Sequence, residues 1–193
     1  MGEQLSGWLI RISTGWVALA AVVGFLLFAA LVLPNQAAQL EAKTGEVASP
    51  DVLLFYSPEE LYQLAEAYGA EGREAYIRAR FTFDVVWPLV YAVFLSTAIS
   101  WVYGKAFEAG SPWRRMNLVP VLGALFDYLE NVSTSLVMWR YPEWTAVVDL
   151  LAPIFTLVKW VFVGGGFGLL LIGVMVGVWR WKKRMPSAME HRA

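Results

Sequence analysis

The chain has 193 residues, of which 58% are hydrophobic, 15% aromatic and only 16% charged, with a net charge of −1. A soluble domain averages about 45–50% apolar and about 25% charged residues, so this composition excludes an ordinary soluble globule, and without a basic surplus it offers nucleic acid no partner surface. There is no cysteine, which excludes disulfides and thiolate chemistry, and the single histidine, His191, stands in a polar tail away from any apolar stretch.

An apolar run of roughly 20 residues crosses a bilayer, and four such runs occur, at about 16–33, 81–103, 117–138 and 151–180. They predict an all-α, polytopic membrane protein, an antiparallel four-helix transmembrane bundle forming a single domain over residues 1–193. Arg11 ahead of the first run and Gln36-Ala37-Ala38 behind it resemble a signal peptide. Its apolar core of about 18 residues is longer than the usual 7–15, so it reads as a retained span.

Residues 34–80 connect the first two spans. The first half, PNQAAQLEAKTGEVASPDV, is expected to be irregular. The second half opens on Ser57-Pro58-Glu59-Glu60, a capping box with proline at the first helical position. Leu61, Leu64, Ala65, Tyr68, Gly72, Ala75, Tyr76 and Ala79 then recur at helical spacing, with Glu74 and Arg78 as an i,i+4 pair on the polar face. This predicts an amphipathic helix that either covers the outer mouth of the bundle or rests on lipid headgroups.

Basic residues set orientation. With the N-terminus inside, Arg11, Lys105, Arg114, Arg115, Arg180, Lys182, Lys183, Arg184 and Arg192 lie inside, against Lys43, Arg73, Arg78, Arg80 and Arg140 outside. Both termini are therefore expected in the cytoplasm and the acidic long loop outside. Gly110-Ser111-Pro112 breaks the inner loop and Tyr141-Pro142 marks a short outer turn. Gly164 with Gly168, and Gly173 with Gly177, are small-xxx-small spacings that permit close helix approach, within the bundle or in a homo-oligomer or larger membrane complex. Trp179 to Arg184 reads as an interfacial anchor.

Charges inside the spans mark the candidate site, because each costs roughly 2.5–3.5 kcal/mol at mid-bilayer and normally faces a protein interior. Asp127, Glu130, Asn131 and Thr134 share one stripe of the third span; Asp84, Pro88, Tyr91 and Leu95 share one of the second; Lys159 shares a face of the fourth with Phe155, Thr156 and Phe162. Asp84, Glu130 and Lys159 all fall in the outer half, Glu130 and Lys159 each roughly 12 Å below its outer end, and Asp127 lies deeper, at roughly 16 Å. Three acids against one lysine leave negative charge that a ligand, a proton or a cation would balance. Asp84, Tyr91, Asp127, Glu130, Asn131 and Lys159 are accordingly the expected ligand-binding residues. Tyr76, Arg78, Arg80 and Arg140 near the outer surface form a candidate lipid-headgroup group.

Lys159 would repel a hard cation, and no Glu-x-x-His pattern is present, so neither a metal nor another cofactor is expected. A phosphate-binding glycine loop and any histidine-based acid–base pair are also lacking. YGAEGREAYIRARFTFDVVWPLVY, PVLGALFDYLEN and FTLVKW together resemble a group of small four-span bacterial membrane proteins of unassigned function. The resemblance implies a bacterial inner-membrane location and brings no activity. The leading expectation is a non-enzymatic protein whose polar pocket, open to the outer side, binds a small or lipid-derived ligand. A lipid-modifying enzyme using carboxylate acid–base chemistry and an accessory subunit with a purely structural cluster are the alternatives.

Overall fold

The computed structural model describes residues 2–45 and 49–190, so His191 lies outside it. Among the described residues all regular structure is helical. Helix α1 (Gly2–Ile12) lies at one end of the molecule. There the Ser6 hydroxyl donates to the Arg114 carbonyl (3.1 Å) and the Asn117 amide donates to the Ser6 carbonyl (3.2 Å). Thr14 then caps α2 (Gly15–Leu27) by accepting from the Val17 N–H.

The first apolar helix does not end at Pro34. A π-turn, Phe28–Val32, leads directly into α3 (Leu33–Thr44). Proline lacks an N–H and crowds the carbonyl four residues back, and the wider π-turn relieves that crowding without ending the helix. The expectation of an irregular segment after residue 34 is thereby corrected: residues 34–44 are helical, and Gly45, with φ of 75°, terminates them.

A short turn, Pro50–Val52, precedes α4 (Pro58–Arg80). The capping box forms as expected, with Ser57 and Glu60 each accepting from the other's backbone N–H. Gly69 bends α4, adopting φ 62° and ψ −177°, a region open essentially to glycine alone. Arg73 donates to the Ala65 carbonyl across this bend (2.8 Å) and stacks on Tyr141. Tyr62 stacks on Trp144 and accepts from the Thr145 N–H, so α4 lies over the 141–147 connection. Only Phe81 and Thr82 separate it from α5 (Phe83–Ala106). A 3-10 segment, Pro112–Leu118, leads to α6 (Val119–Arg140), and α7 (Val148–Glu190) runs past the expected end at 180.

Three helical stretches are long and apolar enough to cross a membrane: Gly15–Thr44, Pro58–Ala106 and Val148–Arg180. Helix α6 is less apolar, because its buried face carries Asp127, Glu130, Asn131, Ser133, Thr134 and Ser135. Its outward face is nonetheless Leu122, Leu125, Leu129 and Val132, matching Leu19, Val23 and Leu26 on α2, Val86, Leu89 and Val93 on α5, and Ile154, Leu157 and Val161 on α7. Polarity is thus inverted relative to a protein in water, where such charges face out. Two apolar clusters bracket the buried polar groups. One, toward α4, holds Tyr56, Leu61, Tyr76, Val137 and Met138; the other, farther along the bundle, holds Leu95, Ile99, Tyr103 and Ala124.

Of the two spaced pairs only Gly173 marks a close helix approach, and Gly123 on α6 marks another. A Cβ at Gly173 would lie 2.4 Å from the Tyr103 ring, and one at Gly123 would lie 3.1 Å from Val163. Gly164, Gly168 and Gly177 face open space. Gly173→Ala should therefore destabilise the protein by about 1–3 kcal/mol through overpacking, whereas Gly177→Ala should leave thermal unfolding in detergent unchanged.

Candidate functional site

Two buried cations organise the polar layer. The Arg80 guanidinium bridges Asp51 (2.9 Å) and Asp84 (2.8 Å) and lies 4.6 Å over the Tyr76 ring. Arg80 ends α4 and Asp84 begins α5, so the short Phe81–Thr82 break keeps them one helical turn apart. Pro88, four residues on, cannot donate to the Asp84 carbonyl, which loosens the first turn of α5.

Lys159 meets Glu130 at 2.5 Å, one of the two acids, with Asp127, that the helical stripes offer it, and donates to the Asp51 carbonyl at 3.1 Å. Glu130 also accepts from Thr156 (2.8 Å), whose hydroxyl lies 3.0 Å from that of Tyr56. Tyr76 donates to Thr134, and Thr134 to the Glu130 carbonyl. Asp127 differs from the other carboxylates. Its two oxygens accept from Tyr91 (3.0 Å) and from the Asn131 amide (3.2 Å), and among the described residues no cation pairs with it.

The 49–53 segment is pinned from both sides. Trp160 donates to the Leu53 carbonyl (3.0 Å), next to the Lys159 contact, and Ser49 donates to the Asp51 carboxylate. Burial alone would raise the Asp51 pKa, but the charges of Arg80 and then Lys159, helped by Ser49, hold it down at about 2.

A cavity of about 580 Å³ opens beside this layer. Its polar wall is Asp51, Arg80, Asp84, Tyr91, Asp127 and Lys159, and Gln36, Glu41, Thr44 and Ser49 add polar groups at the α3 side. The apolar wall comes from α2 and α3 (Phe25, Leu33, Ala37, Leu40), α5 (Phe83, Trp87) and α7 (Trp160, Val163, Phe167). Phe25 approaches Phe167 at one end, with ring centroids 6.2 Å apart.

Of the residues singled out from the sequence, Asp84, Tyr91, Asp127 and Lys159 line this cavity together. Glu130 and Asn131 stand behind them, bonded to Lys159 and Asp127 respectively, and do not line it. The residues grouped as a headgroup site separate. Tyr76 is fully buried and Arg80 is in the polar layer, while Arg78 and Arg140 are exposed and paired with Glu74 and Glu143. The cavity is flanked mainly by α3 rather than by α4, of which only Ala79 and Arg80 contribute.

Sequence reasoning missed Asp51 altogether and placed Arg80 at the surface. The Arg80–Asp84 spacing was a usable signal, since i,i+4 pairs meet on helices; nothing local marked Asp51. Among the described residues no group of three His, Asp or Glu side chains is arranged to hold a metal. The chain matches no protein-family model, no curated protein and no solved structure.

Removing one partner of a buried pair costs about 3–5 kcal/mol, because the other charge is stranded. Lys159→Met should lower the unfolding temperature in detergent accordingly, and adding Glu130→Gln should restore part of it. Acid provides a separate check. Because the folded pKa of Asp51 lies below its ordinary 3.8, its contribution is complete above about pH 4 and disappears as the pH falls toward 2. That contribution is about 2 kcal/mol, and a stability-against-pH series should show Asp51→Asn lacking it.

Proposed function

We propose that this protein is a four-span integral membrane protein that holds a lipid-derived amphiphile in the cavity beside Asp127. The observation that carries this reading is the division of the cavity wall into a charged side and an aromatic side. A ligand with a polar end and an apolar body satisfies both, whereas water would leave the aromatic side unsatisfied and lipid tails would leave the carboxylates so. The outward Leu and Val face of α6 supports its role as the fourth span. The cavity is built from residues of α2 to α7, on the side of the polar layer where α3 and the 49–52 segment lie. The distribution of basic residues supports a reading with that side outside and both termini in the cytoplasm.

Acid–base chemistry finds less support. Asp51, Asp84 and Glu130 are each committed to a cation, and Asp127 is held by two hydrogen bonds.

Two measurements test the proposal. Mass spectrometry of the protein purified in a detergent unrelated to natural lipids should show about one amphiphile per chain, and Ala37→Phe, which fills the cavity from α3, should abolish it without changing unfolding temperature. An empty wild-type protein would overturn the binding role. For topology, Glu59→Cys should react with an impermeant maleimide on intact cells, and Ser111→Cys only after permeabilisation; the reverse pattern would invert the orientation.

A further inference from the structure

We infer that the polar end of the ligand is a protonated amine that docks on Asp127. The inference rests on the reading above, that the cavity is a ligand site. Six ionisable side chains form the polar layer: Asp51, Asp84, Asp127, Glu130, Arg80 and Lys159. Both cations are already paired with acids. Arg80 is bracketed by two carboxylates, and Lys159 is held by Glu130 and the Asp51 carbonyl. A carboxylate or phosphate end would have to displace one of these acids from its cation, leaving a buried charge stranded. An anionic ligand would therefore add negative charge to a layer that already sets four acids against two cations.

The acids are in the opposite position. Asp127 is 7% exposed, lines the cavity and meets no cation. An ionised carboxylate has about four acceptor positions, and hydrogen bonds from Tyr91 and Asn131 occupy two. The remaining capacity suits an ammonium, which has N–H donors and the charge that the layer lacks.

Aromatic placement adds a second, independent argument. Trp87 packs edge-on against Tyr91 at 5.8 Å, and both line the cavity with Asp127, while Trp160 lies beside Lys159 on another wall. Indole and phenol rings attract cations that reach their faces, so an ammonium on Asp127 that touches the Trp87 or Tyr91 ring gains a contact that a neutral hydroxyl does not. The volume of about 580 Å³ limits the rest of the molecule. It lies within the range of about 300–1,000 Å³ that holds small ligands, which selects a single-chain amine over a two-chain phospholipid taken up whole. Phe25, Leu33, Phe83, Val163 and Phe167 would contact that chain.

Three twelve-carbon probes separate the possibilities: dodecylamine, dodecanol and dodecanoic acid, titrated at neutral pH against the tryptophan fluorescence of the full chain in an uncharged detergent. Trp87 and Trp160 report from the cavity wall. Ala37→Phe supplies the signal from binding elsewhere, which is subtracted. Dodecylamine should bind at least tenfold more tightly than dodecanol, and dodecanoate should not bind. Asp127→Asn should reduce the amine preference below threefold while dodecanol binding is kept. Equal binding of amine and alcohol to the wild-type protein would overturn the inference and identify Asp127 as a neutral acid. Dodecanoate binding most tightly would also overturn it, making Arg80 or Lys159 the docking group. In both of those cases the cavity remains a ligand site. Failure of all three probes would overturn the ligand site together with the inference. If Asp127→Asn does not fold, the wild-type comparison of amine with alcohol decides alone.

Discussion

Lys159 and Arg80 meet on one short segment. Lys159 donates to the Asp51 backbone carbonyl and Arg80 pairs with the Asp51 carboxylate. Through Glu130 the first cation ties α7 to α6, and through Asp84 the second ties the end of α4 to the start of α5. Five parts of the chain are thus joined by two side chains, in a region where an unpaired charge is expensive. This arrangement holds Asp51, Arg80, Asp84 and Lys159 at the cavity wall.

The apolar clusters on either side of the layer explain how so many charges can be buried. Tyr56, Tyr76 and Met138 seal it toward α4, and Leu95, Ile99 and Tyr103 seal it on the other side. Hydroxyls mediate between the two environments: Tyr56, Tyr76, Tyr91, Thr134 and Thr156 each present an apolar body to a cluster and an oxygen to the layer. Such residues suit the edge of a buried polar network, because each leaves no donor unsatisfied. The outer surface of these helices is rich in leucine, valine and isoleucine, so apolar exposure and the buried polar layer occupy opposite faces of the same helices.

That separation also bears on how a ligand would arrive. The first apolar helix, extended by α3 to Thr44, stands across the cavity from α7 and shares with it only a narrow contact at Phe25 and Phe167. An amphiphile held between them can keep its apolar part continuous with the surrounding hydrocarbon while its polar end reaches Asp127. A chain that comes from hydrocarbon removes no apolar surface from water, so its hydrophobic contribution is small and the polar end carries the selectivity.

The helical class, the apolar stretches, the Ser57–Glu60 cap and the stripes of Asp84, Asp127, Glu130 and Lys159 were legible in the sequence. Each depends on periodicity or on contacts within a few residues, and both are local properties of the chain. Even the Glu130–Lys159 pair could be anticipated, since a buried lysine must find an acid at its own depth. Asp51 could not. It lies in a short turn with no periodic signal, and it belongs to the site only because α4 folds back and Arg80 reaches it. The continuation of the first helix through Pro34 was likewise hidden, because a π-turn depends on the neighbouring packing as much as on the proline. The assignment of Arg80 to the surface failed for the same reason, since a helix-end arginine is ordinarily solvated. Local sequence therefore determined which groups are costly to leave unpaired, while only the tertiary structure decided how they were paired and that the buried Asp127 faces the cavity without a cation.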